Sequence, residues 1–160
     1  MASSHPTYML DTTEFNYLLG GTISPASLTG PRLLVTGIQR SELSNTKNPT
    51  RRAELLAKFE EVDPTTIPAS SFALDIEGAG LDQAYWNDGS GNYEKMLARL
   101  RDLDEKKKPL NQDRDILIAE TAIKNGAILV SNDAKLRQVV SEFGGRAIDH
   151  VQFESAIRST

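Results

Sequence analysis

Four acidic side chains, Asp11, Glu42, Asp115 and Asp133, each stand just after a short apolar run or open a helix that leads into one. Other routes to chemistry are narrow. With no cysteine, the chain has no disulfide, no thiolate zinc site and no Cys nucleophile. Of its two histidines, His5 falls in the amino-terminal segment and His150 near the other end, and both read as solvated or capping side chains rather than members of a triad or zinc site. Chemistry must therefore rest on carboxylates. Singly, each acid has an ordinary reading, because Asp at a strand–helix junction is a common N-cap and acids suit a first helical turn. Jointly, four carboxylates at one edge repel and raise one another's pKa unless a cation sits among them. A hard divalent ion such as Mg²⁺ or Mn²⁺ takes oxygen ligands and suits a set without His or Cys. Such an ion promotes phosphodiester hydrolysis by acidifying water and offsetting charge on the attacking and leaving oxygens.

The elements that would position these acids follow from the apolar pattern. Tyr8-Met9-Leu10 reads as a strand leading into Asp11, and Thr12 to Leu19 as a helix closed by Gly20-Gly21. Arg32 to Thr36 is a second strand, and Thr36 with Gln39 forms a capping-box pattern for the short helix that carries Glu42. Asn48-Pro49 starts a helix with an apolar stripe through Ala53, Leu56 and Phe59. Residues 63–92 are irregular, with a short helix expected around Leu74 to Trp86; Tyr85 and Trp86 there either pack on the sheet or stack on a base. Tyr93 to Leu103 keeps helical spacing into the basic run Lys106 to Lys108, with Pro109 as its stop. A helix from Gln112 to Asn125 places Asp115 in its first turn and Gly126 past its end. Ala127 to Ser131 is a third strand, Asn132-Asp133 opens a further helix, Arg146 to Asp149 is a fourth strand, and Val151 to Ile157 a last helix. Strands without polar alternation, separated by amphipathic helices, imply an α/β fold: a three-layer α/β/α sandwich around a short parallel sheet. In such sheets ligands gather beyond the carboxyl ends of the strands, where the strand order reverses.

A length of 160 residues with 39% hydrophobic content supports one domain over residues 8–160, with 1–7 as a flexible tail. That tail lacks the basic and apolar regions of a secretory signal, and no apolar run is long enough to span a bilayer, so a cytoplasmic location is expected, with no membrane partner. The formal net charge of -4 argues against coating nucleic acid through the overall field, without excluding it as a substrate. Basic clusters at Arg51-Arg52, Lys106-Lys107-Lys108 and Lys135 with Arg137 read as solvated helix faces or ends.

The segments Tyr8-Met9-Leu10-Asp11-Thr12, Glu42 after the second strand, Asp115-Ile116-Leu117-Ile118-Ala119 with Thr121-Ala122, and Leu129-Val130-Ser131-Asn132-Asp133 resemble the four successive acidic motifs of PIN domains, in particular VapC-type toxins. The third and fourth are the most specific: an Asp followed by an Ile-Ala pair, an Ala-containing helix, a Gly, and then a strand ending in Ser-x-Asp. The resemblance covers roughly residues 8–150 and is weakest over 63–110. It implies a PIN-like fold and an Mg²⁺- or Mn²⁺-dependent endoribonuclease acting as the toxin of a type II toxin–antitoxin pair. Asp11, Glu42, Asp115 and Asp133 would then be catalytic, as metal ligands or holders of the metal's waters, with Thr12 and Ser131 orienting them by hydrogen bonds. Either hydroxyl has an alternative role as a helix cap. The same resemblance implies an RNA substrate, a cognate antitoxin, a homodimer, and contact with operator DNA only through the antitoxin. Asp113 competes with Asp115 but lacks its Ile-Ala spacing, while Asp82, Asp88 and Glu120 read as solvent-facing.

The alternative function is a PIN-like scaffold that binds RNA or a partner without cutting. A phospho-accepting receiver would need an acceptor Asp after the third strand and a Lys after a later one, and no Lys follows the last strand. A nucleotide-binding enzyme lacks its P-loop or G-x-G-x-x-G turn.

Overall fold

The computed structural model describes residues 5–21, 23–69 and 92–159. Within them five short strands, β1 (Thr7–Leu10), β2 (Arg32–Val35), β3 (Thr65–Thr66), β4 (Ile128–Val130) and β5 (Arg146–Ile148), form one parallel sheet in the order β3-β2-β1-β4-β5. Four of these match the strands expected from the apolar runs. The exception is β3, whose two exposed threonines carry no apolar signal; pairing of Leu34 with Thr65 and Val35 with Thr66 alone defines it.

Alternate residues of each inner strand feed two separate cores, which is why no polar alternation is visible in the sequence. Tyr8, Leu10, Leu33, Val35, Ile128 and Val130 pack on one face. They meet Phe15 and Leu18 of α1 (Glu14–Leu19), Leu43 of α2 (Gly37–Ser44), Leu55 and Phe59 of α3 (Pro49–Val62), and Phe153 and Ile157 of α7 (His150–Arg158). Met9, Leu34 and Leu129 point to the other face. There they meet α4 (Asn92–Leu103), α5 (Pro109–Lys124) and α6 (Ala134–Glu142). The three-layer α/β/α sandwich is thus realised, with a short 3-10 turn at Pro25–Leu28 before β2.

Several helix boundaries follow the capping chemistry. Thr36 and Gln39 form the expected capping box on α2, with the Thr36 N–H donating to Gln39 Oε1 at 2.9 Å. Asn48 caps α3 through the Arg51 N–H, and Gly126 ends the turn after α5 at φ 65°. Two boundaries differ from expectation. The first helix begins at Glu14, with Thr12 and Thr13 in the preceding turn. Pro109 does not stop α4, which ends at Leu103; it is the first residue of α5, where a missing N–H costs nothing. Helix α5 therefore starts before the expected Gln112, Asp115 falls in its second turn, and Lys106 to Lys108 lie in the connection between α4 and α5. The helix expected over 74–86, with Asp82, Tyr85, Trp86 and Asp88, lies outside the described residues. Among the described residues no helix is long and apolar enough to cross a membrane.

The chain lays β1, β2 and β3 outward in one direction and then returns to place β4 on the other side of β1, so the strand order reverses between β1 and β4. Gln39 fixes this edge from the side: its Nε2 donates to the Leu10 carbonyl at 2.9 Å, tying the first turn of α2 to the last residue of β1. Gln39 is fully buried, so an apolar substitute leaves the Leu10 carbonyl and the Thr36 N–H without this partner. Gln39→Leu is expected to lower unfolding free energy by about 1–3 kcal/mol, read as a shift in the urea midpoint at unchanged slope.

Candidate active site

Asp11, Glu42, Asp115 and Asp133 all line one pocket of about 380 Å³. They reach it from β1's end, from α2, from the second turn of α5, and from the start of α6 beyond β4. The pocket thus lies beyond the carboxyl ends of β1 and β4, at the reversal of strand order. A hollow of similar size, about 400 Å³, opens near Leu28, Arg32 and Asp63, but it gathers no side chain from the carboxyl end of β1 or β4.

Each acid is held by donors. The buried Asp11 receives the Ser131 hydroxyl on Oδ2 at 2.7 Å and the Thr12 N–H on Oδ1 at 2.8 Å. Glu42 receives the Thr12 hydroxyl at 2.8 Å. Thr12 and Ser131 therefore orient acids, and neither caps a helix through its hydroxyl; Ser131 Oγ also accepts from the Asp133 N–H at 3.2 Å. Asp133 does cap: its Oδ1 accepts from the N–H groups of Lys135 and Leu136 at 3.0 and 3.1 Å. Its other oxygen accepts from the Lys107 ammonium at 2.9 Å, and the same ammonium donates to Asp115 Oδ2. Asp113, the competitor of Asp115, turns away to Tyr93 and Arg101 at 3.4 and 3.3 Å.

The acids feel one another. Burial raises Asp11, with the Asp133 charge adding to it and the Ser131 and Thr12 hydrogen bonds opposing. Burial and the Asp11 charge push Asp115 up to about 7, against the pull of Lys107. Burial raises Glu42 as well, with Asp11 contributing. For Asp133 burial alone would raise the value, but the Lys107 hydrogen bond and the helix-cap N–H groups outweigh it and hold it below the ordinary range. Among the described residues, no three His, Asp or Glu side chains stand close enough, as arranged, to hold a metal ion. The acids share a pocket in donor-held subsets: Asp11 with Ser131, Glu42 with Thr12, and Asp115 with Asp133 around Lys107. Two oxygens sharing one ammonium lie within about 6 Å of each other.

Three side chains depart from expectation. Lys107, read as part of a solvated helix end, reaches into the pocket while the flanking Lys106 and Lys108 stay exposed. A basic run shortly before an acidic motif was the available signal, but nothing in the spacing shows which lysine turns inward. His150 is buried rather than solvated: Nδ1 lies 2.6 Å from Glu14 Oε1, and the ring stacks on Tyr17 at a centroid separation of 4.6 Å. Tyr17 in turn lines the pocket, together with Asn111 and Asn132. Glu120, expected in solvent, is only 3% exposed and lies 3.7 Å from Lys124.

In fold the chain is similar to the crystal structure of a member of the VapBC family of toxin-antitoxin systems, VapBC-5, from Mycobacterium tuberculosis. The TM-score is 0.46 at 18% identity, over 89% of this chain and 96% of that one. No protein-family model matches the chain, and no curated protein does.

Burial pushes Glu14 up to about 7 from an ordinary 4.5, with His150 opposing. A carboxyl raised on folding keeps a proton that the unfolded chain has already lost, so its contribution to stability falls as pH rises through that window. Between pH 4.5 and 7.5 the wild type should lose on the order of 2–3 kcal/mol more unfolding free energy than Glu14→Gln. Urea melts at the two pH values measure this; equal losses would show that Glu14 is ionised throughout.

Proposed function

We propose that the chain is a divalent-metal-dependent endoribonuclease, folded as one nuclease unit over residues 8–160, in which Asp11, Glu42, Asp115 and Asp133 hold the ion. The observation that carries this reading is that four acids from four separate segments line one pocket at the reversal of strand order, two of them buttressed by Thr12 and Ser131. The donor set offers carboxylate oxygens without His Nε2 or thiolate in the pocket lining, which fits Mg²⁺ or Mn²⁺. Electrostatics points the same way, since burial and mutual repulsion hold Asp11, Glu42 and Asp115 above the ordinary carboxylate range, a strain that a bound cation relieves.

When bound, the ion supplies Lewis acidity and neutralises charge on a phosphodiester. The chain's own residues do the positioning. Ser131 and the Thr12 N–H lock both oxygens of Asp11, and the Thr12 hydroxyl aims Glu42. Asp133 is fixed by its capping role, which leaves its second oxygen facing the pocket. Asn111, Asn132 and the partly exposed Tyr17 offer polar and aromatic groups at the rim for a nucleotide.

The choice of RNA, and the role of a growth-inhibiting toxin restrained by a cognate antitoxin and working as a homodimer, come from the resemblance of the four acidic motifs to VapC-type PIN domains. A second reading is favoured by one observation: Lys107 already neutralises part of the pocket, as it would in a scaffold that binds RNA or a partner without cutting.

Incubation of the purified protein with total RNA separates the two. Cleavage should require Mg²⁺ or Mn²⁺, stop with chelator, and fall by at least about 100-fold in Asp11→Asn and in Asp115→Asn, whereas Thr12→Val and Ser131→Ala should lose about 10–100-fold. Cleavage that persists in chelator or in both Asn variants rejects the metal mechanism; no cleavage under any condition favours the scaffold.

A further inference from the structure

Among the described residues, Lys107 is the one lysine that lines the acidic pocket, and its chemistry there is specific. Its ammonium donates to Asp115 Oδ2 and, at 2.9 Å, to Asp133 Oδ2. The two contacts differ in what they leave free. Asp133 Oδ1 is already committed to the N–H groups of Lys135 and Leu136, so Oδ2 is the oxygen that this side chain has to offer any cation. Lys107 occupies that oxygen.

We propose that Lys107 is an internal competitor for the metal-binding carboxylates, so that a divalent ion enters the pocket by displacing its ammonium from Asp115 and Asp133. The inference rests on the reading of the pocket as a metal site and adds to it the group that sets its affinity.

The backbone supports an exchange confined to a side chain. The connection that carries Lys107 is pinned at both ends: the Lys107 N–H donates to the Asp104 carbonyl at 3.4 Å, Gln112 Nε2 donates to the same carbonyl at 2.6 Å, and Pro109 opens α5. Lys107 is only partly buried, with 25% of its side chain exposed. Its four-carbon stem can therefore swing the ammonium into solvent while the turn stays in place. Lysine suits this role better than arginine, because it presents a compact point charge rather than a planar fork that locks onto a carboxylate. A tethered group of this kind acts at an effective concentration of about millimolar. It therefore weakens the apparent affinity of the carboxylates for a divalent ion without closing the pocket to it.

The test is calorimetric titration of the intact protein with MnCl₂, beside Lys107→Met, Lys107→Arg and Asp11→Asn. Lys107→Met keeps most of the stem and removes the charge, and is expected to bind Mn²⁺ about 5–10-fold more tightly than wild type. Lys107→Arg, which retains a cation, should bind no more tightly than wild type. Binding of equal or lower affinity in Lys107→Met, still abolished by Asp11→Asn, overturns the competition while leaving the metal site standing. Failure of wild type and Lys107→Met alike to bind overturns both.

A measurement on the wild-type protein guards against poor folding of the Met variant. The ε-methylene NMR signal of Lys107, identified by its loss in Lys107→Arg, should shift with added Mg²⁺ over the range in which the ion binds. A signal that stays fixed at saturation overturns the proposal.

Discussion

Like charges crowded at one edge of a parallel sheet are the constraint around which this molecule is organised. Asp11 is a buried part of the pocket lining, and Asp115 and Asp133 lie close enough that one ammonium bridges them. Ionised carboxylates so placed repel, and burial removes the water that would screen them. The structure answers with donors: a serine and a main-chain N–H on Asp11, a threonine on Glu42, a helix N-terminus on Asp133, and a lysine between Asp115 and Asp133. The remaining imbalance appears as carboxyls that hold their protons to unusually high pH.

Neutralising such a pocket has three routes, namely a proton, an internal ammonium or an external cation; the raised carboxyls and Lys107 supply the first two, and the third is the one we propose. A carboxylate that is raised by burial and also held rigidly is poised to exchange its proton for a stronger charge partner. Rigidity comes from the same contacts that support the fold. Gln39 binds the end of β1 to α2, the Asp11 N–H continues the ladder to the Val130 carbonyl at 3.0 Å, and the Ser131 N–H continues it to Ile148 at 2.9 Å. Asp11 and Ser131 therefore sit on the last rungs of the sheet, while helices carry Glu42 and Asp115 and Asp133 caps one.

Beside this edge a second polar cluster is folded inward. Glu14, His150 and Tyr17 join the first helix to the last, and Tyr17 extends the cluster to the pocket rim. Asn132 contributes from the other side, accepting the His150 N–H at 2.8 Å while its side chain lines the pocket. The segment after β4 is thereby fastened to α7, which fixes the approach to Asp133.

Apolar runs of three or four residues, set between amphipathic stretches, were enough in the sequence to specify parallel strands and a sandwich, because a strand buried on both faces has no polar residues to alternate. Capping chemistry was equally local, so Thr36 with Gln39, Asn48 and Asp133 could be read as helix starts from residue type alone. The spacing of the Ile-Ala pair separated Asp115 from Asp113, whose carboxylate turns to Tyr93 and Arg101. Tertiary structure decided what depends on partners distant in the chain. The two threonines of β3 are a strand only because β2 lies beside them. Pro109 could end one helix or begin the next, and packing chose the latter, which moved Asp115 inward by a turn and brought the lysine run to the mouth of the pocket. His150 is buried against Glu14 and Tyr17 from the opposite end of the chain, partners that no local pattern names. Residue type fixes what a side chain can do, but whether a lysine meets water or a pair of carboxylates is set by the path of the backbone between elements, and that path is a property of the whole fold.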